Sequence, residues 1–253
     1  MNTTTDYEQL WSGEWSELQR IGPLTHTNHR LVVKALKPYI FKGARLLDVG
    51  CGNGSLLELL CNRFPEIEPT GIEGAAEAVA RAPESLRGRI LRQDLSNGFS
   101  LAGEPFDIVT CSEVLEHLEN YLPTLDSIVS HTRAGGWVLI TVPHSMRYWS
   151  KSDEFAGHHR RFEYEDLRAD LKQCGLKVVQ YFTWGFPVSY IYNRIVTRIE
   201  PGALMQQKPS ALKTFIAKSV YQAMRLDDLF TGRRWHQLIA LAQKDIRSDG
   251  TAR

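Results

Sequence analysis

The chain has 253 residues, with 43% hydrophobic and 23% charged residues, enough to bury the core of one sizeable α/β domain. Thirty Lys and Arg against 29 Asp and Glu leave a formal charge of +1, which counts against a nucleic-acid partner because a phosphate chain favours excess cations. No apolar run nears the length of about 18 residues that a membrane-spanning helix needs. The start "MNTTTDYEQLWSGEW" lacks the basic and apolar regions of an export signal. The four scattered cysteines (Cys51, Cys61, Cys111, Cys174) include no CxxC pair, so they read as reduced thiols of a cytoplasmic protein.

Residues 1–43 form a polar N-terminal segment with helical apolar spacing, clearest in "HRLVVKALKPYI". Strands and helices then alternate. "ARLLDVG" reads as a buried strand and "SLLELLCNRF" as a helix; "EPTGIEG" is a strand and "AAEAVARA" a helix. "RILRQDL" and "FDIVTCS" are the third and fourth strands, and "EVLEHLEN" the helix after the fourth. "LPTLDSIVSHT" is a helix, "GGWVLITVP" a strand, "EYEDLRADLKQCG" a helix and "LKVVQYFTW" a strand. This alternation predicts a doubly wound, mainly parallel sheet with helices on both faces. The last strand is "HQLIALAQK", within 235–244. Residues 185–234 before it are too long for an ordinary connection and form an insertion over a 44–184 core. The polar tail "DIRSDGTAR" is expected to fray.

The first strand ends in "LLDVGCGNGSLL": Asp48, then Gly50, Gly52 and Gly54. Glycine costs backbone entropy, so three of them before a helix suggest close approach of a ligand to bare N–H groups. Glu73 ends the second strand about twenty residues later, where a carboxylate meets a ribose diol; a surface Glu before a turn is the plainer alternative. Asp94, after the third strand, fits an adenine amino group or a turn cap. The dinucleotide fingerprint G-x-G-x-x-G would need glycine at position 55, which is Ser55.

Asp48 with G-x-G-x-G, followed by "GIEG", "QDL", "FDIVTCSEVLEHL" and "GGWVLITVP", resembles the class I S-adenosylmethionine (SAM)-dependent methyltransferases over about residues 44–143. The resemblance implies a Rossmann-like seven-stranded sheet whose last strand is antiparallel. It implies that Asp48, Gly50, Cys51 and Gly52 form the methionine-side turn. Glu73 and Gly74 would lie at the ribose, Asp94 and Leu95 at the adenine, and Cys111 against the methionine side.

A hydroxyl acceptor must lose its proton to a base or a metal. On a helix, Glu113, Glu116 and His117 in "SEVLEHL" share one face. That face suits a hard divalent metal such as Mg, a general base at His117, or simple dipole and packing roles. The stretch resembles the E-V-L-E-H signature of ubiquinone-type O-methyltransferases and of small-RNA 2′-O-methyltransferases, where such residues are associated with a divalent metal. "GHHRRFEYEDL" follows. There His158 or His159 completes a metal site, with His158 also a candidate catalytic group. His144, Arg160 and Arg161 fit an anionic acceptor, or the arginines pair with Glu163 or Asp166. In the insertion, Trp184, Phe186, Tyr190 and Tyr192 line an acceptor pocket or pack as core; with Arg194 and Arg198 they also fit a lid touching a membrane surface. The expected activity is methyl transfer to a small-molecule hydroxyl. RNA-terminal 2′-O-methylation and a non-catalytic SAM-binding domain are the rivals.

Overall fold

The computed structural model describes residues 22–196, 198, 210–230, 232 and 234–246. The segment before residue 22, most of the 197–209 stretch and the polar tail beyond 246 lie outside the described residues.

Helix α1 (Pro23–Leu36) opens the described chain, with proline at its first turn where no intrahelical N–H is needed. Strands β1 (Arg45–Val49), β2 (Glu68–Glu73), β3 (Ile90–Arg92) and β4 (Phe106–Ser112) follow. Helices α2 (Ser55–Arg63) and α3 (Ala76–Ala80) connect the first three. Then come α4 (Leu122–His131), β5 (Thr132–Pro143), α5 (Lys151–Ala156), α6 (Tyr164–Gln173) and β6 (Leu176–Trp184). The insertion supplies α7 (Val188–Val196) and α8 (Ala211–Met224) before β7 (Gln237–Lys244).

The seven strands lie in the order β3-β2-β1-β4-β5-β7-β6. Strands β1 to β5 pair in parallel, and β7 runs antiparallel between β5 and β6. The order reverses between β1 and β4, so a crevice opens beyond their carboxyl ends. Successive side chains divide between the two faces. Leu47, Val49, Val109, Cys111, Val138 and Ile140 pack with Leu125 and Ile128 of α4 and Leu167 and Leu171 of α6. Leu46, Ile108, Leu139, Ile239 and Leu241 pack on the opposite face with Leu31, Val32 and Leu36 of α1 and Leu56, Leu57 and Leu60 of α2. Both faces are covered, which is why the central strands read as continuous apolar runs.

One expected element is absent. The "EVLEHLEN" helix is only a 3₁₀ turn, Leu115–His117. Glu113 takes a positive φ of 57° and Val114 sits against Gly50. That contact and the turn in the chain displace a regular helix, so Glu113, Glu116 and His117 do not share a helical face.

The glycine turn is a backbone requirement. Gly50 has φ +67°, and a Cβ there would lie 2.4 Å from Val114 Cγ2. Gly54 caps α2 in the left-handed region. Gly50→Ala is expected to lower unfolding free energy by about 2–4 kcal/mol, combining left-handed strain with overpacking. Urea denaturation checks this; wild-type stability would contradict the packing described.

Candidate active site

The cofactor side begins at the turn after β1. Gly50 and Cys51 N–H both donate to Ile72 O, at 2.8 and 3.0 Å, tying the turn to β2. Glu73, 2% exposed, accepts from Gly52 N–H at 2.8 Å and from Ala75 N–H at 2.9 Å. Its carboxylate therefore joins the glycine turn to the start of α3, with Gly74 between. Asp48 lies beneath the turn and accepts from the Thr110 hydroxyl at 2.7 Å. Burial raises its carboxyl to about 7; the Thr110 bond opposes the rise and the Glu73 charge adds to it.

The other expected cofactor residues divide. Cys51 and Cys111 are buried in the two opposite core clusters. Their thiols face packed side chains, and burial pushes both pKa values well up. Any approach to a ligand there uses backbone. Leu95 is core, whereas Asp94 is exposed and accepts from Ser96 N–H and Oγ at 2.9 and 2.8 Å. Asp94 Oδ1 thus caps the turn at Ser96, the plainer of the two expected roles, and its carboxylate remains exposed.

The acceptor side lies past the end of β4. Glu116 is fully buried, and neither carboxylate oxygen has a hydrogen-bond partner. Burial, and next the charge of Glu113, push its carboxyl well above the ordinary range. Glu116, His117 and His158 offer ligand atoms that all lie within 4.8 Å of one another. Glu113 is not in this group: its carboxylate accepts from the Thr141 hydroxyl at 2.8 Å. Thr141 and Ser112 also receive hydrogen bonds from the Asn28 amide, each at 3.1 Å, which pins α1 over the ends of β4 and β5.

The His117 and His158 rings meet edge to face at 4.6 Å. Burial, and then the neighbouring His158, lower His117 to about 3, so its imidazole is neutral. A ring so weakly basic suits ligation better than proton abstraction. His158 Nδ1 lies 2.9 Å from Asp153 Oδ1, an arrangement that makes Nδ1 the donor and leaves Nε2 as the acceptor.

Asp153, 1% exposed, organises this loop. It accepts from Ser150 N–H and Oγ, from His158, and bidentately from Arg161 at 2.8 and 3.0 Å. Burial would raise its carboxyl, but the bonds from His158 and Arg161 outweigh that and leave it at about 2. Sequence reasoning missed Asp153, although Ser150-x-x-Asp153 has the spacing of a capping box. It also missed His236, buried beside Trp184 and Arg161 and lowered by burial to about 4.

The expected acceptor residues are largely committed elsewhere. Arg161 pairs with Asp153, not with Glu163 or Asp166, because the α5 turn brings that buried carboxylate onto its guanidinium. Arg160 donates to Glu119 O and stacks over Tyr121 at 5.0 Å. His144 Nδ1 lies 2.6 Å from Trp235 O, joining the loop after β5 to β7. Trp184 is 1% exposed and belongs to the core. The side chains of Arg161, His144 and Trp184 are buried, whereas Arg160 is only partly so.

A methyltransferase domain family model matches residues 20–181, more than half of the chain. The ubiquinone biosynthesis O-methyltransferase of Albidiferax ferrireducens is 31% identical over 148 residues, covering 54% of this chain and 55% of that protein. The trans-aconitate 2-methyltransferase of Rhodopseudomonas palustris is 25% identical over 103 residues, 40% of each chain. The chain spans about half the length of the curated relatives it matches. The solved structure of Haemonchus contortus phosphoethanolamine N-methyltransferase 2 with S-adenosyl-L-methionine aligns with a TM-score of 0.64 at 16% identity. It covers 96% of this chain and 61% of that one, a likeness of fold. Among the described residues no helix is long and apolar enough to cross a membrane. The chain belongs to the methyltransferase domain family, within the class I SAM-dependent methyltransferases.

Proposed function

We propose that this protein transfers the methyl group of SAM to a hydroxyl oxygen of a small-molecule acceptor. The observation that carries this reading is the unpartnered, buried Glu116 carboxyl beside His117 and His158, past the end of β4. In this reading the turn from Gly50 to Gly52 takes the amino-acid end of SAM. Glu73 accepts from the ribose hydroxyls while keeping its amide bonds, since a carboxylate has room for about four donors.

The sulfonium is already an activated donor, so much of the rate comes from holding the acceptor oxygen in line with the methyl group. The acceptor proton is the remaining problem. His158 is the base: Asp153 engages Nδ1 and fixes its tautomer, leaving the other ring nitrogen to take the proton. The side chains of Glu116, His117 and His158, one carboxylate and two imidazoles, also fit a first-row divalent cation, and with that ion bound His158 is a ligand and not the base. An orphaned buried carboxylate is costly without a counter-charge, and the Asp153–His158 bond is the second-shell support that a ligating imidazole ordinarily has. Glu116, His117 and His158 would hold such an ion, which would lower the pKa of a bound hydroxyl.

Incubating the protein with methyl-labelled SAM and a small-molecule cell extract should give a labelled product that mass and fragmentation identify as a methyl ether. Label entering only RNA, or nothing at all, would sink this reading. Glu116→Gln should lose manganese binding by titration calorimetry while S-adenosylhomocysteine still binds, and exhaustive chelation should stop turnover of the wild type. Turnover that survives chelation would leave His158 acting without a metal. Asp153→Asn should lower kcat by roughly tenfold or more, as loss of outer-shell support does, with S-adenosylhomocysteine affinity unchanged. An unaltered kcat would remove Asp153 from the positioning of His158.

A further inference from the structure

A second cavity lies between the loop after β5 and helix α7 of the insertion. It is an open cleft of about 410 Å³, lined by Arg147, Tyr148, Trp149, Ser150, Tyr190, Asn193, Arg194 and Arg198. That volume suits a small organic ligand. We propose that it binds a phosphate or diphosphate group carried by the acceptor, which extends the methyl-transfer reading to a substrate class.

Charge is the first argument. Arg30, Arg133 and Arg161 each pair with an aspartate. Arg147, Arg194 and Arg198 form no ion pair with a carboxylate among the described residues. Arg147 instead donates to the Tyr148 hydroxyl at 2.7 Å and to Arg234 O. Arg194 donates to the Tyr190 hydroxyl at 3.3 Å. Their guanidiniums lie over the same rings, at 4.5 and 5.8 Å. These contacts orient the cations without neutralising them. Among the described residues no carboxylate lines the cavity; Glu154 lies against the Trp149 indole at 3.4 Å. Three guanidiniums exceed what one carboxylate needs, whereas a phosphate carries close to two charges and accepts bidentate bonds.

Position is the second argument. Tyr148, in the cavity wall, packs edge-on against His236 at 6.1 Å. Ser150, also in the wall, donates to Asp153, the residue that holds His158. The cavity wall is therefore linked to His158 through Ser150 and the buried Asp153. An acceptor anchored by its phosphate would extend from the cavity toward His158. The anionic role expected of Arg160 and Arg161 passes to Arg147, Arg194 and Arg198.

Two sources supply such a group: a soluble phosphate ester or a phospholipid headgroup. The test uses full-length protein saturated with S-adenosylhomocysteine, titrated with inorganic pyrophosphate and, separately, with phosphatidylglycerol vesicles. Pyrophosphate should bind. The Arg194→Glu/Arg198→Glu double variant should bind it at least about tenfold more weakly, the equivalent of one lost charged bond. Its S-adenosylhomocysteine affinity and Tm should stay unchanged. The control Arg87→Glu/Arg168→Glu alters net charge equally and should keep pyrophosphate affinity within about twofold, because exposed, screened charges contribute little. Pyrophosphate binding without vesicle binding assigns a soluble ester. Vesicle binding that pyrophosphate competes away, and that the double variant loses, assigns a lipid headgroup. Absence of pyrophosphate binding at millimolar concentration, or equal weakening in both double variants, overturns the proposal. Failure of S-adenosylhomocysteine to bind would strike the methyl-transfer reading instead.

Discussion

The site depends on a carboxylate gripped by backbone amides. Glu73 stands at the end of β2, yet it accepts from Gly52 in the turn after β1 and from Ala75 at the start of α3. These bonds cross the gap between neighbouring strands and fix a turn whose three glycines would otherwise have many conformations. Charge-assisted bonds to backbone N–H are among the stronger ones available, roughly 1.5–3 kcal/mol each. The turn is set in the absence of any ligand, so a ligand bound there would not have to order it.

Asp153 does for the acceptor side what Glu73 does for the cofactor side. One buried carboxylate receives the Ser150 cap, the His158 imidazole and the Arg161 fork. It binds the loop after β5 to the start of α6. Arg161 then reaches His236 O at the start of β7. The candidate site is thus assembled from the ends of β4, β5 and β7 rather than from one contiguous motif. Both oxygens of Glu116 stay without a partner there, as do both ring nitrogens of His236. A buried, unsatisfied carboxyl is costly, and a bound cation or a substrate donor is the physical reason to retain one.

The sheet was legible because its central strands are buried on both faces and show as apolar runs, β4 and β7 most clearly. The glycine turn was legible because positive φ is selective for glycine, as at Gly50 and Gly54. The "EVLEHLEN" stretch misled. Its apolar spacing suits a helix, but packing of Val114 on Gly50 and the Thr141–Glu113 bond override that preference. Both are contacts distant in sequence, and no local pattern announces them. The membership of Glu116, His117 and His158 in one cluster was foreseen from the wrong geometry. The Arg161–Asp153 pair escaped because a short helix and the double-histidine loop intervene. Its only local trace was the capping spacing from Ser150.

Strand order, glycine turn and the Glu73 grip all lead to one claim: the crevice beyond β1 and β4 binds the adenosyl cofactor through Glu73. Titration calorimetry of S-adenosylhomocysteine against the wild type and Glu73→Ala tests this most directly. The account predicts tight binding to the wild type and an affinity lower by roughly tenfold or more in the variant, from the loss of at least one charged bond. Equal affinity in the two folded proteins would contradict it.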